Sequence, residues 1–164
     1  MTQDPFGNLQ EWGSVLELLA DLNSAGCLAE CQRGLVRILR FKGNWRLREE
    51  VLSHLDQIET PTEELIKQVD DIVVDDSNYY EVRILASKVL ACLICNDQKL
   101  SGSPFCPETG SVIEGLEALM KTPHPPVFHD ALGHCLRSLA GEVPRRGCYE
   151  LGSRGCPAEN REHR

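Results

Sequence analysis

The spacing of the apolar residues constrains the fold of this chain more than any other feature. From Leu9 onward, leucine, valine, isoleucine and alanine recur at alternating intervals of three and four residues. This is the period of an α-helix with one buried face. The same pattern returns along the chain, giving predicted helices at 9–22, 28–39, 47–58, 65–73, 79–95, 111–120 and 127–140. No stretch alternates apolar and polar residues as a half-buried strand would. We therefore predict an all-α fold of about seven helices.

Capping residues predict where several helices begin. Asn8, followed by a glutamate three residues later, is placed to cap the first helix, and Asn44 to cap the third. In the segment from Thr60 to Glu63 we expect the threonine to cap the fourth helix, with Pro61 at its first position. Residues 96–110 are rich in glycine and proline and are predicted to form an irregular loop.

Length and composition limit the organisation of the chain to one domain. A chain of 164 residues with 41% apolar residues can fill a single core. Residues 1–141 carry the helical period and form the predicted domain. Residues 142–164 show no periodicity, so we expect a disordered tail.

The start of the chain and its charge predict the compartment and disfavour one class of partner. No cationic and apolar leader is present, and no apolar run is long enough to span a bilayer. We expect an intracellular protein, cytoplasmic or nuclear, with reduced cysteines and no membrane insertion. A net charge of −8 disfavours binding to nucleic acid through the overall field of the protein.

A turn and the helix that follows it recur along the chain. Short connections make consecutive helices antiparallel neighbours, which either close into a bundle or stack into a solenoid. Arg48, Arg83 and Phe128 occupy corresponding positions after three such turns. Their spacing is near the roughly 40 residues of helical-hairpin repeats. This internal similarity favours stacked hairpins.

At these residues the chain resembles the HEAT-repeat family, part of the armadillo-like superhelical class. The closest resemblance is the segment Val73-Val74-Asp75-Asp76 followed by Val82-Arg83, and residues 27–141 are covered. Phe128 stands where the family has a basic residue. The resemblance implies that Asp76 and Arg83 support packing between repeats and that Ala86 lets neighbouring helices approach. It also implies a protein-binding scaffold whose second helices form the recognition face.

Cysteine and histidine spacing leaves a metal or redox role as an alternative. Cys92 and Cys95 have the spacing of redox and zinc motifs, but they lie in an apolar helix, where thiols usually fill a core. A zinc site would have to recruit Cys106 and either His124 or His129. The chain contains no nucleophile elbow, phosphate-binding glycine loop or His-Glu-x-x-His motif. We expect a protein that is not an enzyme and holds no cofactor.

Charged and aromatic residues mark the candidate binding surface. Residues 33–48 contain several cations and no carboxylate. The charged residues of 56–81 are all acidic except Lys67. Such stretches either attract one another across neighbouring helices or line a groove with both positive and negative charge, which orients a protein partner. Binding of nucleic acid or phosphate through residues 33–48 is the alternative. The predicted partner-binding residues are Arg33, Arg37, Arg40, Lys42, Arg46, Arg48, Trp45, Tyr79 and Tyr80.

Overall fold

The computed structural model describes residues 4–102 and 107–142, and this part of the chain is helical without any strand. Its helices are α1 (Trp12–Ser24), α2 (Gln32–Arg40), α3 (Trp45–His54), α4 (Glu63–Val74), α5 (Tyr80–Ser101), α6 (Pro107–Met120) and α7 (Pro126–Leu139). Two short 3-10 turns, Leu28–Cys31 and Leu55–Gln57, lie in the connections. The predicted all-α class is confirmed. The tail predicted beyond residue 142 lies outside the described residues.

The helices stack as hairpins in chain order. α2 packs against α3, α4 against α5 and α6 against α7. Each helix also contacts the helix two places further along the chain, from α1 with α3 to α5 with α7. Two layers result, which we call the even layer (α2, α4, α6) and the odd layer (α1, α3, α5, α7). Because each return is antiparallel, the helices within one layer run in the same direction. These contacts place consecutive helical hairpins side by side in chain order.

One continuous hydrophobic core lies between the two layers. α5 is central to it and contacts α3, α4 and α7. Ala86, Leu90 and Leu93 on its inner face are fully buried. None of the helices in the described part of the chain is long and apolar enough to cross a bilayer.

Local sequence explains several helix ends. The Asn44 side chain accepts a hydrogen bond of 3.0 Å from the amide of Arg46, which confirms the predicted cap of α3. At the end of α1, Gly26 adopts a positive φ of 68°, and the amide of Cys27 donates to the carbonyl of Leu22. This pairing is the Schellman motif, for which glycine is the preferred residue.

The predicted start of α4 is wrong by two residues. Thr62, not Thr60, caps the helix by accepting a hydrogen bond from the amide of Leu65 at 3.3 Å. The reason is Gln32 on α2, whose side chain is buried and forms hydrogen bonds with the peptide groups before and after Pro61. Its side chain donates to the Thr60 carbonyl at 2.9 Å and accepts from the Thr62 amide at 2.7 Å. These bonds hold the turn before α4 in a non-helical conformation.

The boundaries of α1, α5 and α6 also differ from the predictions. α5 continues to Ser101 and ends at Gly102, which has a φ of 62°. α6 already begins at Pro107, where the missing amide of a proline costs nothing in the first turn. Much of the predicted loop is therefore helical. α1 begins at Trp12, and Asn8 only closes the turn before it by accepting from the amide of Gln10.

The residues before α1 form an irregular segment against α2, and we call residues 4–9 the strap. Phe6 and Leu9 are buried although neither is helical. The Phe6 ring lies against Gly34, where an added Cβ would be only 2.6 Å from it. Asp4 forms an ion pair with Arg37 at 2.6 Å. The strap thus covers a face of α2 that no helix of the described stack covers.

Candidate protein-binding edge

The structure distributes the predicted binding residues over two places. Arg33, Arg37 and Arg40 belong to α2 in the even layer. The others lie on or beside the turns that lead into α3 and α5, where odd-layer helices begin; they are Lys42, Trp45, Arg46, Arg48, Tyr79 and Tyr80.

The arginines of α2 are largely engaged within the chain. Arg37 donates to both carboxylate oxygens of Asp4, at 2.6 and 3.0 Å, and to the Gly7 carbonyl at 2.9 Å. Arg40 donates to Gln68 at 2.8 Å and to Glu64 at 3.1 Å, both on α4. Opposite charges therefore meet across neighbouring helices of the even layer.

Exposed aromatic side chains meet where the odd-layer helices begin. The rings of Trp45 and Tyr79 are edge to face, with centroids 6.3 Å apart. The guanidinium of Arg46 lies 5.6 Å from the centroid of the Trp45 ring. Trp45 is 42% exposed and Tyr79 is 66% exposed, so both rings face solvent. We call Trp45, Arg46, Tyr79 and Tyr80 the aromatic edge.

Polar contacts beneath the aromatic edge fix its geometry. The Asn44 cap places Trp45 at the first position of α3. Arg48 on α3 donates to the side chain of Asn78, which in turn donates to the Ile72 carbonyl at 3.4 Å. Ile72 lies in the last turn of α4, where carbonyl groups have no partner within the helix. These bonds connect α3 to the turn between α4 and α5.

The acidic turn between α4 and α5 adds negative charge beside the aromatic edge. Asp75 accepts hydrogen bonds from Ser77, and these, together with the nearby cations Lys42 and Arg48, lower the pKa of Asp75. The ammonium of Lys42 lies 3.9 Å from this carboxylate. The resemblance assigns the packing role to Asp76, but Asp76 is exposed and Asp75 makes these contacts. The aromatic edge therefore contains the positive charge of Arg46 and has negative charge beside it.

Tyr80 extends the aromatic edge toward α7. Its ring lies 5.3 Å from that of Phe128, and its hydroxyl is 3.2 Å from Nδ1 of His124. The other ring nitrogen of His124 is 2.7 Å from the hydroxyl of Thr122. Partial burial, Arg83 and His129 together lower the pKa of His124. Both ring nitrogens of this histidine thus have partners within the chain.

Arg83 joins two hairpins from inside the core. Its side chain is buried, and Nε donates to the Val73 carbonyl at 2.9 Å near the end of α4. The guanidinium lies 4.4 Å from the centre of the Phe128 ring and 5.3 Å from that of Tyr80. Stacking on an aromatic ring suits the flat guanidinium. Phe128, which stands where the HEAT family has a basic residue, therefore supplies the ring against which the Arg83 guanidinium packs.

The cysteines do not form the site that their spacing allowed. Cys92 is disulfide-bonded, so the expectation of reduced cysteines is wrong at this position. Cys95 has a free thiol, which excludes a bond between these two residues. Burial raises the pKa of Cys135 to about 12, which makes it an unreactive core thiol.

A metal site is not formed by the described residues, which contain no cluster of three potential ligands. The backbone amide of His124 donates to the ring of His129 at 3.3 Å, so the two histidines are linked without an ion. Cys106, the third residue considered for zinc, lies outside the described residues.

Comparisons with protein-family models, with curated proteins and with solved structures find no match. The resemblance to HEAT repeats therefore stays a prediction, whereas the stacked helical hairpins are observed.

Proposed function

We propose that this protein is a non-enzymatic intracellular scaffold that binds a protein partner through the aromatic edge. The supporting observation is the exposed Trp45–Tyr79 ring pair. Leu47 and Val82, close in sequence to the two rings, are buried, whereas the rings themselves remain exposed. Exposed aromatic rings that do not complete a core are typical of binding hot spots.

The aromatic edge has the physical properties of a binding surface. Its rings are held at helix starts by a cap and by neighbouring rings, so little side-chain freedom is lost on binding. Arg46 places a positive charge against the Trp45 ring, and Asp75 and Asp76 place negative charge in the turn that precedes Tyr79. Such an arrangement fixes the orientation of a partner more than it raises affinity.

Paired substitution on the aromatic edge tests this proposal. Full-length Trp45→Ala/Tyr79→Ala protein is compared with wild type as bait in cell extract, with bound proteins quantified by mass spectrometry. The matched control is Leu100→Ala, which removes a 61% exposed apolar side chain from the far end of α5. Partners captured by wild type should fall at least roughly tenfold with the edge variant and remain with the control. Equal capture by all three proteins would refute the proposal.

The alternative of nucleic-acid or phosphate binding through residues 33–48 draws less support. Arg37, Arg40 and Lys42 lie against carboxylates of the same chain, which reduces the positive field of this segment. A phosphate-binding role would require affinity that falls steeply with salt concentration. Salt titration of any captured complex therefore separates the two functions.

A further inference from the structure

We propose that α2 carries a peptide-binding notch, separate from the aromatic edge, for a non-helical segment with a carboxylate two residues before an aromatic ring. The notch is formed by Gly34 and Arg37. In this structure the strap, through Asp4 and Phe6, occupies it from within the same chain. The strap is then a competitor that a partner segment of the same chemistry displaces.

The notch is selective because each of its two halves fits one kind of side chain. Gly34 lies in the middle of α2, and even a methyl group there would stand 2.6 Å from the Phe6 ring. The missing side chain therefore creates the space that the ring fills. One helical turn further, Arg37 presents Nε and Nη2 to the two oxygens of Asp4. A planar guanidinium recognises a carboxylate in this two-bonded manner.

The occupant also shows what backbone shape the notch accepts. The strap has irregular backbone: the Phe6 amide donates to the Asp4 side chain at 3.2 Å, and Gly7 has a φ of 57°. Arg37 also donates to the Gly7 carbonyl at 2.9 Å. A partner therefore needs the carboxylate, the ring and one free carbonyl, and it needs no helix.

The strap is attached to the stack by its buried Phe6 and Leu9 side chains and by one polar partner on α2. All of its hydrogen bonds to α2 go to one side chain, Arg37, which is 40% exposed to solvent. Gly7, with a φ of 57°, allows the chain to turn between the strap and α1. Beside it, an open groove of about 410 Å³ is lined by the strap, through Gly7 and Leu9, and by Arg37, Arg40 and Phe41, so the same arginine can be reached from solvent.

Opening the notch in the full-length chain tests the proposal. The protein is Asp4→Ala/Phe6→Ala, and the probe is a fluorescent peptide with the sequence of residues 1–10, followed by anisotropy. The peptide should bind this variant at least roughly tenfold more tightly than wild type, whose notch is occupied. Peptides with asparagine for Asp4 or alanine for Phe6 should lose binding. Asp4→Asn alone, which retains the ring, provides a milder variant and should show a smaller gain.

Two further changes in the opened protein locate the binding. Arg37→Ala should abolish peptide binding, and Gly34→Ala should do the same by filling the space for the ring, while alanine itself favours the helix. Circular dichroism confirms that each variant is folded. Absence of binding to the folded opened variant, or binding that survives both changes, overturns the proposal. A wild-type dimer formed by strap exchange also overturns it, because a second copy would then be the occupant. None of these variants alters the aromatic edge, so the result is independent of the proposed scaffold function.

Discussion

Asp70 is a carboxylate that the fold partly buries without a neighbouring cation. One of its oxygens is buried and has no hydrogen-bond partner. Burial, and then the negative charge of Asp71, raise the pKa of Asp70 to about 6. Arg83 is better compensated, because Nε donates to a carbonyl and two rings lie against the guanidinium, while Nη2 has no hydrogen-bond partner. Asp70 is therefore the residue where a loss of charge should help the fold.

The pH dependence of stability follows from this raised pKa. Between the ordinary value of 3.8 and about 6, the folded chain binds more protons at Asp70 than the unfolded chain does. The stabilisation that Asp70 contributes through this extra proton is complete below pH 3.8 and is lost as the pH rises through about 6. Asp70→Asn should thus raise the free energy of unfolding at pH 7 by ~1–2 kcal/mol, allowing for solvent screening.

Urea denaturation of wild type and Asp70→Asn at pH 4, 5, 6 and 7 measures this effect. The difference between the two proteins should grow with pH and level off above pH 6. Glu59→Gln, at an exposed position before α4, is the control and should show little of this trend. A constant difference across the series would contradict the assignment.

At the scale of the elements, Gln32 joins the start of α2 to the start of α4. It makes three hydrogen bonds, to Ala29, Thr60 and Thr62, at 3.1, 2.9 and 2.7 Å. Gln32→Ala should lower the free energy of unfolding by ~1–2 kcal/mol, because the partly buried peptide groups of the turn lose their partner. Gln57→Ala, at an exposed position, should change it by less than ~0.5 kcal/mol. Equal effects of the two substitutions in urea denaturation would show that the contacts of Gln32 do not stabilise the junction.

The accuracy of the sequence predictions depended on whether the deciding contact was local. The Asn44 cap needs only the amide of Arg46, so its sequence context was sufficient. The start of α4 depends on Gln32, which is distant in sequence, and was therefore misplaced. The strap was missed for the same reason, since only the fold shows that Phe6 and Gly34 match in shape.

The candidate site shows the same division between local and distant contacts. The sequence places Trp45, Tyr79 and Tyr80 at turns before helices, but it left open whether they face solvent or cover the edge of the core, and the structure shows them exposed. The contact between Trp45 and Tyr79 could not be predicted, because it depends on how α3 packs against α5. The ion pair of Arg37 with the strap was likewise hidden in the sequence.

At the scale of the whole molecule, the stacked order predicts unequal stability along the chain. Each helix contacts only near neighbours in sequence, and α5 contacts helices on both sides, whereas α1 lies at one end. Native-state hydrogen exchange should therefore be at least roughly tenfold slower at Leu90 on α5 than at Leu19 on α1, because terminal units open more readily. Both side chains are fully buried, so burial alone predicts no difference. Equal rates would indicate a single cooperative unit.

The strap also affects how copies of the molecule meet. In a stack of similar hairpins, the exposed end of the stack resembles the surfaces that join hairpins inside it. An uncovered end therefore lets copies of the molecule add end to end into filaments. On α2 that side is covered by Phe6, and Arg37 is already paired with Asp4. A short, irregular piece of chain thus makes the α2 side of the particle unlike its interior junctions and limits polymerisation there.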